Sequence, residues 1–308
     1  MANLPGWRDI PKYPVVISVA LVATGLTIAW WSGTSMSGLF ENAEIRRGQF
    51  WRLVTSALLH LDILHLVFNL YWLWVLGTVV ERVYGDWKTA LLLLLFAIGS
   101  GSWEYALADG GIGLSGVGYG LFGMLFVLSK HDERFKGVLD KRTETLFIVW
   151  FFACILLTAT HVMNVGNFAH GEGLVLGLVV GYTIVHPERR GLLVTVGGLL
   201  VFLGFCGSTV ARPYVNFSKN GGYEEARWGY EALMNDKKNP ETNHEAVMWL
   251  EDAVKYQPKV PLFWFNLGIA YQREHDYDAA SSAYRRAYEL DPSNADYAKA
   301  AGKEVPEK

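Results

Sequence analysis

The sequence predicts an all-α fold, in which a membrane-spanning helical bundle is followed by a soluble domain of helical repeats. Charged residues make up about 14% of residues 1–212 but about 29% of residues 213–308, and the second value is typical of a soluble domain. The first part contains seven apolar stretches of membrane-spanning length, and the second contains a helical repeat motif. These observations predict a transmembrane domain over residues 1–212, a linker over 213–222 and a repeat domain over 223–308.

The seven apolar stretches approach the roughly 20 residues that a helix needs to cross the hydrocarbon core of a bilayer. The first ends in the interfacial pair Trp30 and Trp31 and lacks a small-residue cleavage site. It is therefore expected to be a membrane anchor rather than a signal peptide. The predicted spans are 14–31, 63–83, 89–107, 115–130, 145–161, 168–186 and 192–210.

Lysine and arginine residues near the ends of the spans predict the orientation of the bundle. With the N-terminus in the cytoplasm, eleven of them fall on the cytoplasmic side and three, all in the first outer loop, fall on the other side. This bias follows the positive-inside rule, and an odd number of crossings then places the C-terminal domain outside the cytoplasm. Seven spans without a transit peptide favour the plasma membrane of a prokaryote, so we expect a multi-pass protein of that membrane.

The C-terminal part has the spacing of a tetratricopeptide repeat, a helix-turn-helix in which large residues of one helix fill gaps left by small residues of the other. The matching positions are Trp264, Leu267, Gly268, Tyr271, Ala280, Tyr284, Ala287 and Pro292. A second, weaker repeat lies 34 residues earlier, with Tyr230 at its first position and Met234 at its glycine position. Residues 294–301 are predicted to form a capping helix. The concave face is a candidate site for a protein or peptide partner, and dimerisation is the alternative.

Composition and spacing disfavour several classes of function. The formal net charge of −3 gives no indication of nucleic-acid binding. Cys154 and Cys206 lie within apolar runs, so they are expected to be small core residues rather than a disulfide. His244 begins a His-Glu pair, but Met248 occupies the position of the second histidine that a zinc-binding helix needs. We therefore expect no metal site, and no cofactor is implied.

Polar residues form three clusters within or beside the predicted spans, where an ionised side chain costs about 2.5 to 3.5 kcal/mol on insertion scales. His65 and Asn69 are four residues apart, so they lie on one face of the second span. Ser115 begins the fourth span between Gly113 and Gly116, whose lack of a side chain lets another backbone approach closely.

The third cluster begins with His170 at the start of the sixth span and continues as a row of glycines at Gly173, Gly177 and Gly181. Small residues at every fourth position permit close packing against a neighbouring helix. The predicted orientation places all three clusters toward the outer side of the membrane. They can therefore converge near the outer surface.

These residue types suit acyl transfer. A serine hydroxyl is a poor nucleophile until a base takes its proton, and a nearby histidine can do so at neutral pH. Each donor that binds the developing oxyanion stabilises the transition state by roughly 2.7 to 4 kcal/mol. Ser115 and His170 are the candidate nucleophile and base. The candidate donors are the backbone N–H groups at the start of the Ser115 helix and the side chains of His65 and Asn69.

Further motifs extend the pattern along the chain. Trp51 and Arg52 lie in the first outer loop, His60 precedes the second span, and Tyr119 follows Ser115 by one helical turn. With these motifs in this order, residues 48–182 resemble the rhomboid family of intramembrane serine proteases. The seventh span and the tetratricopeptide repeats lie outside the six-helix core of that family.

The resemblance implies a catalytic dyad, with Ser115 as nucleophile and His170 as general base and then general acid, without the third carboxylate of the usual triad. It also implies that His65, Asn69 and the amide of Ser115 form the oxyanion hole and that Tyr119 stacks against His170. The implied activity is hydrolysis of peptide bonds in or beside the transmembrane segments of other membrane proteins. This reaction takes place at the lipid bilayer and needs no cofactor.

The remaining motif residues are expected to support the site. Gly113 and Gly116 permit close backbone approach beside the serine. Trp51 and Arg52 are expected to shape the outer loop and to meet lipid head groups. His60 is expected to order a loop by hydrogen bonding.

Two positions depart from the family pattern. Glu172 lies two residues after the candidate base, where the family usually has a small or apolar residue. We expect its carboxyl group at the aqueous mouth or turned toward a polar neighbour, because a lipid-facing carboxylate would be costly. Gly118 is smaller than is typical beside the tyrosine. Neither change removes a catalytic atom.

Two alternative functions remain open. Ser115 alone could be a helix cap, and His65 and Asn69 alone could form interhelical hydrogen bonds. The first alternative is a rhomboid-like protein that binds membrane proteins without cutting them, although such a protein would be expected to lose Ser115 or His170. The second is a transporter or channel, but the sequence shows no pair of related halves.

Overall fold

The computed structural model describes residues 6–218, 220–235 and 240–305. Every regular element within these ranges is helical, which confirms the predicted fold class. The chain divides into two compact units, Met1–Arg212 and Pro213–Lys308.

Within its described residues, the first unit contains seven long helices, and a long segment with short helical turns connects the first two. Helix α2 includes a π-helical turn at Leu73–Gly77. The seven helices are α1 (Pro14–Trp31), α2 (Ile63–Tyr84), α3 (Asp86–Leu107), α4 (Ser115–His131), α5 (Lys141–Ala159), α6 (Asn167–Val185) and α7 (Arg190–Cys206).

By length and composition, six of these helices could cross a membrane. For α7, this length includes the turns that flank the helix. The exception is α4, which has 17 residues, one fewer than α1. Most side chains of α4 between Val117 and Leu128 are buried against the other helices. Helix α4, predicted as the fourth span, is therefore the central helix of the unit.

The tightest helix contact in the first unit joins α4 and α6. A Cβ atom built on Gly173 or Gly177 of α6 would collide with the backbone carbonyl oxygen of Gly116 or Gly120 of α4. Only glycine leaves room for such a close approach of two backbones. The glycine rows therefore place the start of α6 beside the start of α4.

A side chain from another helix holds the start of α1. Tyr13, which precedes α1, provides no side-chain cap. The carboxylate of Glu81 on α2 accepts hydrogen bonds from the N–H groups of Val15 at 2.7 Å and Val16 at 3.0 Å. A negative charge is favourable there, because the first N–H groups of a helix have no partner within the helix.

In the part of the second unit that the structure describes, there are two helix pairs and a capping helix. In the second pair, a Cβ atom on Gly268 would lie 2.5 Å from the ring of Tyr284, so the pair packs as a tetratricopeptide repeat predicts. Tyr297 and Ala298 of the capping helix are buried. The helices are α8 (Tyr223–Asn235), α9 (Pro240–Tyr256), α10 (Pro261–Arg273), α11 (Tyr277–Leu290) and α12 (Ala295–Ala300).

The first pair, α8 and α9, follows the weaker repeat at its core but not at its glycine. The residues buried at the predicted spacing are Leu233, Ala246, Leu250 and Ala253. Close approach of the two helices takes place at Gly229, where a Cβ atom would lie 2.5 Å from Leu250, whereas Met234 is exposed. In the predicted linker 213–222, the helix that begins at Arg212 continues to Val215.

Candidate active site

The predicted nucleophile and base lie in contact. Ser115 is the first residue of α4, and His170 lies in the first turn of α6. Nε2 of His170 is 2.8 Å from Oγ of Ser115, which is hydrogen-bond distance. The His170 side chain is buried. The pair therefore has the separation that proton transfer from a serine hydroxyl to an imidazole requires.

Tyr119 lies against the His170 ring. The two ring centroids are 4.7 Å apart, with an angle of 33° between the planes. The phenol hydroxyl donates a hydrogen bond of 3.1 Å to the backbone carbonyl of Phe147 on α5. Tyr119 is thus tethered to a third helix, and its ring limits rotation of the imidazole.

His65 lies beside the segment that leads into Ser115. Its Nδ1 atom is 3.4 Å from the backbone N–H of Leu61. Its Nε2 atom lies 2.5 Å from the point where a Cβ atom on Gly113 would be. The structure therefore brings His65 to the approach of the nucleophile.

Asn69 is buried one turn further along α2. Its side-chain amide donates a hydrogen bond of 2.9 Å to the backbone carbonyl of His65 in the same helix. The described hydrogen bonds thus tie Asn69 to α2 rather than to Ser115. An oxyanion role would require the remaining amide hydrogen or a rotated side chain.

His60 is fully buried and links three parts of the unit. The backbone N–H of Leu114, the residue before Ser115, donates to its Nε2 atom at 3.4 Å. Its Nδ1 atom is 3.5 Å from Oγ1 of Thr27 on α1, and its backbone carbonyl accepts a hydrogen bond from Trp31. These contacts support the expected role of His60 in ordering the loop before α2.

The burial of His60 gives a testable pH dependence. Desolvation and the neighbouring His65 lower the pKa of His60 to about 3, from an ordinary value of 6.5. The folded state therefore keeps this histidine neutral, and its contribution to stability is present above about pH 6.5 and is lost as the pH falls from 6.5 toward 3. We expect His60→Gln to reduce the loss of Tm between about pH 7.5 and about pH 5 relative to the wild type.

The Tm of His60→Gln is compared with the Tm of the wild type at each pH, so other titrating groups contribute equally to both values. A single histidine can lower the free energy of unfolding by at most roughly 1.4 kcal/mol per pH unit. Parallel decline of the two melting temperatures would contradict a neutral, buried His60.

Trp51 and Arg52 bind the loop that connects α1 to α2. The buried guanidinium of Arg52 donates to the carbonyls of Ser37 at 2.6 Å and Phe40 at 3.0 Å. The indole N–H of the half-exposed Trp51 donates to the carbonyl of Gly38 at 3.2 Å. These bonds connect the loop to the helical turn at Arg52–Thr55, which agrees with the predicted shaping of the loop.

Two glycines shape the backbone around Ser115. Gly113 has φ of +100°, a conformation that residues with a side chain rarely adopt. At Gly116, a Cβ atom would lie 2.5 Å from Oγ of Ser100 on α3 and 3.3 Å from the carbonyl of Ala169. Both positions therefore require glycine, for conformation in one case and for space in the other.

Glu172 lies in a buried position on α6. Its side chain is 9% exposed and lies toward α3, where a Cβ atom on Gly99 would be 3.8 Å from its Oε1 atom. Within the described part of the chain, Oε1 has no hydrogen-bond partner. Two placements were expected, at the aqueous mouth or toward a polar neighbour, and the buried, unpartnered Oε1 atom supports neither of them. Around Gly118, by contrast, there is open space.

Two acidic residues near the dyad were not identified from the sequence. Glu41 accepts hydrogen bonds from the N–H of Gly111 at 2.7 Å and from the hydroxyl of Ser56 at 3.2 Å. Burial raises the pKa of Glu41 well above its ordinary value, and the Gly111 N–H opposes that shift. Glu104 on α3 accepts a hydrogen bond of 2.9 Å from the N–H of Ala169.

The two carboxyl groups line a small cleft beside the serine. Glu104 lies within an apolar span, so the cost of an intramembrane carboxylate could have marked it from the sequence. Glu41 lies in a loop, where an acidic residue gives no such signal. The residues that carry polar groups into the cleft are Glu41, Ser56, Ser100, Glu104 and Ser115.

Comparison with known proteins gives two family matches. A family model described as a rhomboid domain matches residues 47–187, which include every predicted site residue. A model described as a tetratricopeptide repeat matches residues 261–294, the stronger of the two predicted repeats.

Curated relatives are named as rhomboid protease GlpG. The protein from Pectobacterium atrosepticum is 32% identical over 174 residues, which cover 55% of this chain and 62% of that protein. The protein from Serratia proteamaculans is 35% identical over 136 residues, covering 44% and 48%. The protein from Yersinia pseudotuberculosis is 32% identical over 144 residues, covering 46% and 51%. The chain thus spans about half to three fifths of the length of these relatives.

Proposed function

We propose that this chain, which contains a rhomboid domain and a tetratricopeptide repeat, is an intramembrane serine endopeptidase that hydrolyses peptide bonds in or beside transmembrane segments. The observation that carries the proposal is the 2.8 Å separation of Ser115 Oγ and His170 Nε2 at the buried starts of two helices. The names of the curated relatives support the same activity.

The first half of the reaction forms an acyl-enzyme. The hydroxyl proton of Ser115 passes to Nε2 of His170 while Oγ attacks the carbonyl carbon of the substrate. The resulting tetrahedral oxyanion collapses and breaks the C–N bond, and His170 gives its proton to the departing amine. In the second half, His170 deprotonates a water molecule that attacks the ester, which releases the carboxyl product and restores the serine hydroxyl.

The oxyanion is stabilised by donors at the start of α4. The backbone N–H groups in the first turn of a helix lack intrahelical partners, so the amide of Ser115 is free to donate. The side chain of His65 lies beside Gly113, and that of Asn69 lies one turn further along α2. We assign these three groups to the oxyanion hole.

Substrates are proteins whose transmembrane helix enters the bilayer beside the dyad. The carbonyl to be attacked is hydrogen-bonded within a helix, so the helix must unwind locally before Ser115 can reach it. Small or helix-weakening residues at the cleavage position therefore favour cleavage.

The protein is placed in a prokaryotic plasma membrane with its N-terminus in the cytoplasm and its repeat domain outside. The bias of Lys and Arg supports this orientation, and the bacterial sources of the relatives support this kind of membrane. In a variant with Cys154 and Cys206 replaced by alanine, a cysteine at exposed position 282 should react with an impermeant maleimide on intact cells, and one at exposed position 136 should not. The reverse labelling pattern would contradict the orientation.

The repeat domain is assigned to a protein or peptide partner. Its two helix pairs and cap provide a small concave surface, and such surfaces are the usual binding faces of helical repeats. Recruitment of substrate is the role that fits a domain joined to a protease.

The direct test is cleavage of a transmembrane substrate by purified protein, together with labelling by a fluorophosphonate that modifies activated serines. We expect the wild type to cut and to be labelled and Ser115→Ala to do neither. A folded wild type that binds membrane helices without labelling or cutting would overturn the proposal in favour of a binding protein. That alternative is not favoured, because both dyad residues are present and in contact.

The conformation of Gly113 gives a further test of the oxyanion region. Gly113→Ala is expected to lower kcat by about 10²-fold, because the added methyl group must displace His65 or the start of α4. Steady-state kinetics on folded protein measure the change. Gly48→Ala is the matched control, since Gly48 has φ of +94° but open space around its Cβ position. An equal loss of kcat in both variants would show that backbone strain alone is responsible.

A further inference from the structure

The helix that carries His170 has no capping side chain of its own. Gly166, the residue before α6, provides no side-chain hydrogen bond. The carboxyl group of Glu104 on α3 takes this place, with Oε2 accepting the N–H of Ala169 at 2.9 Å. The Glu104 side chain is buried. A residue that is remote in sequence therefore binds the first turn of α6.

Glu104 also touches the segment that leads into Ser115. A Cβ atom on Gly111 would lie 3.1 Å from Cγ of Glu104, and one on Gly166 would lie 3.3 Å from Oε2. Glycine at these two positions lets the side chain fit between the loop before α4 and the start of α6. One side chain thus contacts the approaches to both members of the dyad.

The physical consequence concerns the separation of Ser115 and His170. The first N–H groups of a helix need acceptors, and a carboxylate is the most favourable one at that end. His170 directly follows Ala169, so the bond to Glu104 fixes where α6 begins and where the imidazole lies. Displacement by about 1 Å at a reacting group can cost roughly 10²-fold in rate.

We propose that Glu104 is a positioning residue, which sets the dyad separation by capping the helix of His170 from α3. This inference rests on the proposed protease function. Glu104 acts through the backbone of α6 and does not touch the reacting atoms.

Glu81 offers a matched control within the same unit. It too is a glutamate that caps a helix lacking a local side-chain cap, by accepting the N–H groups of Val15 and Val16 on α1. Helix α1 carries neither member of the dyad. The same substitution at positions 81 and 104 therefore separates the loss of a helix cap from the loss of dyad geometry.

The experiment compares Glu104→Leu, Glu104→Gln, Glu104→Asp and Glu81→Leu with the wild type. For each folded protein, the rate of fluorophosphonate labelling, kcat, KM and Tm are measured. We expect Glu104→Leu to lower the labelling rate and kcat by about 10- to 100-fold with KM changed by less than about twofold. Glu104→Gln, which keeps an acceptor oxygen at the same length, should retain the labelling rate within about threefold. Glu81→Leu should lower Tm and leave the labelling rate of the folded protein unchanged.

Each outcome separates this inference from the proposed function. A wild type that is not labelled would overturn the function itself. A labelled wild type with an equally labelled, folded Glu104→Leu variant would overturn the positioning role. If Glu104→Leu does not fold, Glu104→Gln and Glu104→Asp decide whether Glu104 positions the dyad. If the length of the side chain positions α6, Glu104→Gln is labelled faster than the shorter Glu104→Asp. The opposite order would show that the charge at position 104, and not the length of the side chain, matters.

Discussion

Replacing Ser115 by alanine is expected to lower the rate of peptide-bond hydrolysis by roughly 10⁴- to 10⁶-fold, and adding His170→Ala should lower it no further. The reason is that the two side chains act as one unit. At 2.8 Å from Ser115 Oγ, His170 Nε2 is the group that takes the hydroxyl proton, so either residue alone has no partner for the reaction. Single-turnover cleavage by the two single variants and the double variant measures this non-additivity.

Ser129→Ala is the matched control for that measurement. Ser129 lies on the same helix as Ser115, and its hydroxyl is 3.3 Å from the backbone carbonyl of Phe126, far from the dyad along α4. It should cut at the wild-type rate. Multiplicative effects of Ser115→Ala and His170→Ala would contradict a dyad, because they would indicate two residues that contribute independently.

Much of the site could be predicted from the sequence, because its chemistry requires particular residue types at helix starts. Ser115 and His170 are separated by 54 intervening positions, yet each begins an apolar stretch and is accompanied by glycines. These local patterns are visible without knowledge of the fold. The hydrogen bond between the two side chains then follows from the packing of the glycine rows.

Glu104 and Glu41 could not be assigned in the same way. Their roles consist of bonds to backbone N–H groups of Ala169 and Gly111, and any residue in the chain has such a group. Sequence spacing therefore does not indicate which acidic side chain meets which helix start. The side chain of Asn69 illustrates the same limit, since its position on α2 was predictable but its bond to the His65 carbonyl was not.

The fold, like the site, could be predicted in part from the sequence. Apolar length identifies helices but does not distinguish a central helix from a peripheral one, so α4 was predicted as a span like the others. In the repeat domain, a spacing of 34 residues located the buried positions of the first helix pair. It did not locate Gly229, because helix crossing points depend on crossing angle as well as on spacing.

Gly173→Val is expected to damage both the packing of α4 against α6 and the dyad geometry. A Cβ atom at Gly173 collides with the backbone carbonyl oxygen of Gly116, the residue after Ser115, and would lie 3.3 Å from the backbone nitrogen of Gly120. Backbone atoms cannot move aside as a flexible side chain does, so α4 and α6 must separate. Overpacking of this kind costs about 1 to 3 kcal/mol, and the widened dyad should reduce fluorophosphonate labelling by about 10²-fold or more.

The control is Gly118→Val on α4, where the Cβ position has open space around it. Both variants add the same side chain to a helix of the first unit, so differences in Tm and labelling rate report packing rather than helix propensity. Because Gly173 lies three residues after His170, a separation that relieves the collision also moves the imidazole away from Ser115. Retention of wild-type labelling by a folded Gly173→Val protein would mean that the dyad distance is not set by the glycine contact, and the close packing of α4 and α6 would then serve stability alone.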